Sequence, residues 1–161
     1  MPLAVTHILV PIILVDTFRD HILKKKNILS NRFILLAGLS GLLSDIDLPI
    51  SYLLGANLHR TITHSVLFPL IFLTGFIFFY FYKKKTLYKI FLMLFVGFST
   101  HIMLDYLFGE IYILFPLSMK GYYFNPSYLY DSSQILVMFD AVLLFFWLIH
   151  EQLEHKISDY F

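Results

Sequence analysis

The run VLFPLIFLTGFIFFYFY, residues 66–82, contains no charged residue and is closed by Lys83, Lys84 and Lys85. A helix needs roughly 20 apolar residues to cross about 30 Å of hydrocarbon, so a stretch of this kind reads as a membrane helix with a basic stop. Four more apolar stretches lie around it, at about residues 3–23, 28–43, 87–108 and 135–149. Those at 66–82 and 87–108 fit the bilayer well. The other three are short or polar at one end, which suits tilted or partly interfacial helices. The expected fold is all-α: a polytopic transmembrane bundle of about five helices in a single integral membrane domain, residues 1–161.

Composition agrees. Of 161 residues, 58% are hydrophobic and only 14% charged, and mean hydropathy is +0.74. A soluble domain carries about 25% charged residues, and one core of this size could not hide the excess apolar surface. The net charge is +1, and the basic residues stand in short flanking clusters rather than one broad patch. No nucleic-acid partner is therefore expected; membrane lipids are. With no cysteine in the chain, disulfides and thiolate metal sites are excluded. No basic residue precedes Arg19, so the first apolar stretch lacks the charged start of a signal peptide and reads as part of the mature protein.

Loop charge sets an expected orientation. Arg19, Lys24, Lys25, Lys26, Arg32, Lys83, Lys84, Lys85, Lys89 and Lys156 fall on one side, leaving only Arg60 and Lys120 on the other. The positive-inside rule then puts the N-terminus outside and the C-terminus in the cytoplasm. The connection 109–134 is the one long loop. It carries Gly109, Pro116, Gly121 and Pro126 and is rich in Tyr, so turns or a short hairpin over the outer mouth of the bundle are expected.

On that scaffold the ionisable residues converge. His7, Asp45, Asp47, His59, Arg60, His64, His101, Asp105 and Asp140 all fall at or near the outer ends of their segments. His101 and Asp105 are i, i+4 and share a helix face. Asp45 and Asp47 lie within one turn, and Pro49 is expected to stop regular structure after them. Thr63 is expected to cap the third helix, placing His64 in its first turn. An unpaired charge at membrane depth costs roughly 2.5–3.5 kcal/mol at a helix centre. Imidazole and carboxylate are natural ligands of divalent cations, which would offset that cost.

Blander readings stand beside this one. A lone interfacial His is usually a cap or a solvated ring, and His21, His150 and His155 at the other ends are read that way. Asp45 and Asp47 could be an ordinary loop end. Asp140 could pair with a polar group between helices instead of binding metal. The lysine triplets read as topogenic flanks. Arg60 could merely flank the membrane.

The order Thr6-His7, Ser44-Asp45-Ile46-Asp47-Leu48-Pro49, His59-Arg60-Thr61-Ile62-Thr63-His64-Ser65, Ser99-Thr100-His101-Ile102-Met103-Leu104-Asp105 and Leu114-Phe115-Pro116-Leu117-Ser118 resembles the YdjM-like family. Its members are described as membrane-bound, metal-dependent hydrolases and as LexA-binding, inner-membrane-associated proteins. The resemblance spans residues 6–118. It implies that His7, Asp45, Asp47, His59, His64, His101 and Asp105 are metal positions. Ser44 stands where the family has Pro, and Leu48 where it has His, so any ligand the family places at 48 is missing here.

The expected function is metal-dependent hydrolysis at the membrane surface, with a lipid-borne phosphoester as the first substrate class. One to three divalent ions are expected, zinc first, with manganese or magnesium as alternatives. Asp45 would be a ligand or a catalytic group orienting a His ring. Arg60 would act on the reacting phosphate and bind it, and Lys120 would add positive charge for substrate. The competing expectations are a metal transporter or sensor and a non-catalytic membrane scaffold.

Overall fold

A computed structural model describes residues 4–24, 28–55, 59–124 and 133–154. Lys25, Lys26, Pro126, His155 and Lys156 lie outside the described residues. Among those described, the regular structure is helical apart from one isolated antiparallel bridge, Ile111–Tyr122, in the long loop. That bridge is the expected short hairpin in minimal form.

The first rod is α1, Ala4–Thr17, continued by a π-helical turn, Phe18–Leu23, which ends at Lys24 with φ +51°. The second rod is longer than expected. Helix α2, Asn31–Leu43, passes through a 3-10 turn, Ser44–Ile46, into α3, Asp47–Leu54. Pro49 does not stop it. Pro49 is the third residue of α3, where the backbone N–H has no intrahelical partner to lose. The rod instead ends at Gly55, whose φ of +61° is the left-handed conformation that glycine adopts without strain.

Helix α4 is Leu67–Phe81. Its 15 residues reach about 22 Å, short of the hydrocarbon thickness, so the strongest hydropathy run makes the shortest membrane rod. Residues 59–66 are turns rather than helix. Thr63 therefore does not cap α4, and His64 lies before its first turn. Both are corrections with one cause: this segment is drawn toward Asp47, as shown below. Helix α5 is Lys85–Phe108 and α6 is Ser133–Glu154, the latter longer than the expected 135–149.

Among the described residues, three helical segments are long and apolar enough to cross a membrane: Asn31–Leu54, Lys85–Phe108 and Leu136–Leu153. Large apolar side chains such as Ile71, Phe78, Phe81, Phe145 and Phe146 face outward, as the lipid-facing surface of an integral membrane bundle does.

Helix α2 packs between α1 and α5, α4 covers α5, and α6 lies on α1. Small residues make the central contact. Ala37, Gly38, Ser40 and Gly41 face α1 and α5; a Cβ added at Gly41 would overlap the His7 carbonyl, and one at Gly97 would overlap Ser40. Close backbone approach of this kind holds helices together where lipid removes the hydrophobic drive. Ser40 Oγ reinforces it by donating to the carbonyls of Ala37 (2.8 Å) and Met93 (3.1 Å). Leu9, Ile12, Val15, Leu29, Ile34 and Met93 fill the core.

The lysine-bearing end also carries buried polar groups. Arg19, 2% exposed, pairs with Asp16 and donates to Asp20 Oδ1 and Asn31 Oδ1, each at 2.7 Å. Glu151 of α6 is fully buried and lies with Asp16 and His150. His150, read as an isolated ring, belongs to that group. Hydropathy alone misses such a network because one strong arginine interaction spans several segments. Asp140, for its part, accepts a hydrogen bond from Thr6 of α1, the interhelical pairing weighed above.

Candidate metal centre

The close crossing of α1, α2 and α5 brings three segments to one point. The rings of His7 and His101 stack at 4.0 Å, 27° from parallel. His101 Nδ1 donates to the Gly41 carbonyl at 2.6 Å. A carbonyl can only accept, so Nδ1 carries the proton and a neutral His101 presents a bare Nε2 to the centre. The Gly97 and Gly41 contacts thus set the ring as well as the helices.

The 59–64 turn is held by Asp47. Asp47 Oδ1 accepts from His59 Nδ1 at 2.9 Å. Its Oδ2 accepts from the Arg60 backbone N–H at 3.1 Å and the Thr63 hydroxyl at 2.8 Å, and lies 3.3 Å from His64 Nδ1. Arg60 adopts φ +62° there, a left-handed conformation that costs a non-glycine residue energy and persists only where neighbours impose it. One carboxylate therefore orients two histidines and fixes a strained turn.

The inward-facing atoms are different ones. His64 Nε2 lies 3.0 Å from His101 Nε2, 3.2 Å from Asp105 Oδ2 and 3.5 Å from Asp45 Oδ1. His101 Nε2 is 3.6 Å from both Asp45 Oδ1 and Asp105 Oδ2, and His7 Nε2 is 3.4 Å from Asp105 Oδ1. His64, His101 and Asp105 are fully buried. Both oxygens of Asp105, and Oδ1 of Asp45, are buried without a hydrogen bond of acceptable geometry. The approaches to these carboxylate oxygens are contacts, whereas the two Nε2 atoms of His64 and His101 are hydrogen-bonded. A buried carboxylate in that condition needs positive charge beside it. At His64, burial opposes the charged ring, but the carboxylates of Asp105, Asp45 and Asp47 outweigh it and push its pKa up to about 10. Those carboxylates call for a cation at this point, whether a proton or a metal.

Two groups have ligand atoms close enough to share an ion: His7, His101 and Asp105, and Asp45, His59 and His64. All seven expected metal positions are thus gathered in one place, with Asp47 behind the histidines rather than among the inward atoms. Thr63 and the Gly41 carbonyl belong to the same centre and were not foreseen. The T-H pair hinted at the first; nothing in the sequence marks the second.

Arg60 lies at the rim. Its Nη1 donates to the Glu110 carbonyl at 2.8 Å, and the guanidinium packs on Gly109, where a Cβ would come within 3.0 Å of Nη2. Lys120 is not drawn in. Its backbone N–H bonds Ser118 and its ammonium lies 5.6 Å from the Tyr122 ring centroid. The lysine-end group of Asp16, His150 and Glu151 also has metal-compatible spacing, but Arg19 already supplies positive charge to Asp16 there.

No curated protein and no solved structure matches the chain. A family model described as YdjM inner membrane protein matches residues 1–157, nearly the whole length, and the chain belongs to that family.

Proposed function

We propose that the chain is a membrane-embedded, metal-dependent hydrolase acting on a phosphoester of a lipid or other membrane-surface substrate. The carrying observation is Asp105: a fully buried carboxylate with no hydrogen bond, faced by imidazole nitrogens of His7, His64 and His101. Such a donor set fits divalent cations, zinc first among them. The two groups of three suit two ions. His7, His101 and Asp105 would hold one, and Asp45, His59 and His64 the other. Asp45 Oδ1 and Asp105 Oδ2 both lie within 3.6 Å of His64 Nε2 and His101 Nε2, so both carboxylates would help hold the ions.

Bound divalent cations supply Lewis acidity, lowering the pKa of water and polarising a phosphoryl oxygen. The chain's residues do the rest. Asp47 keeps His59 and His64 in the tautomer and orientation that present Nε2 inward. The Gly41 carbonyl does the same for His101. Arg60 Nη1 is tied to the long loop and Nε is buried, so Nη2 carries the donors left for a phosphate oxygen. Lys120 is proposed only as a more distant charge for substrate.

The positive-inside bias supports a centre on the outer face, with the C-terminus cytoplasmic. Asp47 lies seven residues, about 10 Å, from the end of its rod at Leu54. That depth suits a substrate that stays in the bilayer with its headgroup at the site.

Asp47→Ala should retain the ligand atoms yet bind zinc about 10–100-fold more weakly, the cost of losing a partner behind metal-bound histidines. Titration of purified protein with zinc checks this; unchanged affinity would show that Asp47 does not orient them. Arg60→Ala should raise KM for a phosphoester substrate more than it lowers kcat. The functional test is release of phosphate or headgroup from phospholipid vesicles by reconstituted protein. No turnover on any phosphoester, with metal bound, would remove the hydrolase reading.

A second reading is metal-ion transport, favoured by the buried polar group of Asp16, His150 and Glu151 at the opposite end. Metal flux into proteoliposomes without hydrolysis would select it.

A further inference from the structure

We propose that the lysine-bearing end carries a binding site for an anionic phospholipid, with its acyl chain in a groove between α1 and α5. The inference is independent of the metal centre, which lies at the other end of the same helices.

The groove has a volume of about 510 Å³ and an almost wholly apolar lining. Its floor reaches Val15, Leu29 and Met93, all buried members of the bundle core. Leu14, Phe18 and Val96 form its walls. Phe18 and Leu23 belong to the π-helical turn that follows α1 and ends its rod. A π-turn is rare and appears mostly at functional sites. Here it stands along the groove.

Polarity appears at one place, where Tyr88 and Lys89 complete the lining. The Lys89 ammonium donates to the Ile28 carbonyl and lies 5.6 Å from the Phe33 ring centroid. Both partners are neutral. Among the described residues no carboxylate pairs with this ammonium, and two of its three donors remain. Lys83, Lys84 and Lys85 precede it within two turns, and the N-terminus of the 24-residue α5 begins at Lys85 and adds its positive dipole end.

The order of chemistry decides the occupant. A chain lying in the groove is apolar over the Leu14–Val96 depth and meets uncompensated positive charge at the end of the membrane rod. A glycerophospholipid with an anionic headgroup has that order, acyl chain then phosphate. A wholly apolar partner helix would fill the groove but bring no anion to Lys89. Lys89 contributes most through charge near an anionic surface, which is worth about a fivefold preference per lysine.

The test uses the full chain in nanodiscs of phosphatidylcholine containing a small share of phosphatidylglycerol with a photoactivatable acyl chain. Labelling should map to the segments around Leu14, Phe18 and Val96. The same share of photoactivatable phosphatidylcholine should label them about fivefold less. Lys89→Gln should bring the two lipids level, and Lys89→Arg should keep the preference. Leu14→Trp, at an exposed wall position, should suppress labelling by both lipids. Equal labelling in the parent chain, or an unchanged preference in Lys89→Gln, overturns the anion site. Cross-linking of the groove residues to another polypeptide instead of lipid overturns the choice of occupant.

Discussion

Asp105→Asn is expected to hold much less metal than the parent chain and, with metal stripped from both and at a pH above the raised pKa of His64, to be the more stable of the two. The two effects have one source. Asp105 is fully buried and neither oxygen has a hydrogen bond. Without a cation its carboxylate is a buried charge lacking hydrogen-bond donors, and a buried unsatisfied group costs about 1–3 kcal/mol, more when charged. Asparagine removes that charge at nearly constant volume. With a cation the same carboxylate faces three histidines, and its loss should exceed the 10–100-fold drop in affinity that follows loss of an orienting partner. Zinc titration and thermal unfolding with and without chelator give both numbers. If Asp105 served only packing, Asn would lower stability in both states and leave the affinity alone.

Gly97→Ala is the second large effect, and it touches no ligand. A Cβ at Gly97 would fall on Ser40 Oγ and the Ala37 carbonyl and come within 2.8 Å of the Gly41 nitrogen. Three of the obstacles are on one helix and two are backbone, so α2 and α5 must part. Overpacking costs typically 1–3 kcal/mol. Gly97 is one turn before His101 on the same face of α5, and Gly41 supplies the carbonyl that holds His101 Nδ1. The separation should therefore weaken zinc binding about 10–100-fold, as loss of an orienting partner does. Gly55→Ala, which meets no atom within 4 Å, serves as the contrast: its strain is local to the end of α3 and should leave the metal affinity unchanged.

Much of the fold was readable because hydropathy and charge act over whole segments. The five rods, the lysine-rich end and the gathering of His and Asp at the other follow from runs and their flanks. The roster of the centre was also readable, since His101 and Asp105 sit at helical spacing and the other motifs end segments at the same membrane face. The division of labour between Asp45 and Asp47 was not. One residue separates them, and the switch from 3-10 to α-helix at that point decides which one faces inward. Pro49 misled because a proline breaks a helix interior but not its first turn. Thr63 looked like a cap, yet a hydroxyl beside a buried carboxylate donates to it instead. The network of Arg19, Asp16, Asp20 and Asn31 escaped notice because each residue alone looks like an ordinary helix flank. The pairing of Thr6 with Asp140 spans 134 residues, beyond any spacing rule.

The most direct test of a metal centre built from these four segments is the metal content of the purified full chain and of His64→Ala. His64 Nε2 meets His101, Asp105 and Asp45 at 3.0–3.5 Å, so its ring touches both groups. The parent chain should carry about two divalent ions, and His64→Ala should lose them while retaining its helical content. A metal-free parent chain purified from zinc-supplied membranes, or a His64→Ala variant with the parent's full metal content, would contradict the assignment.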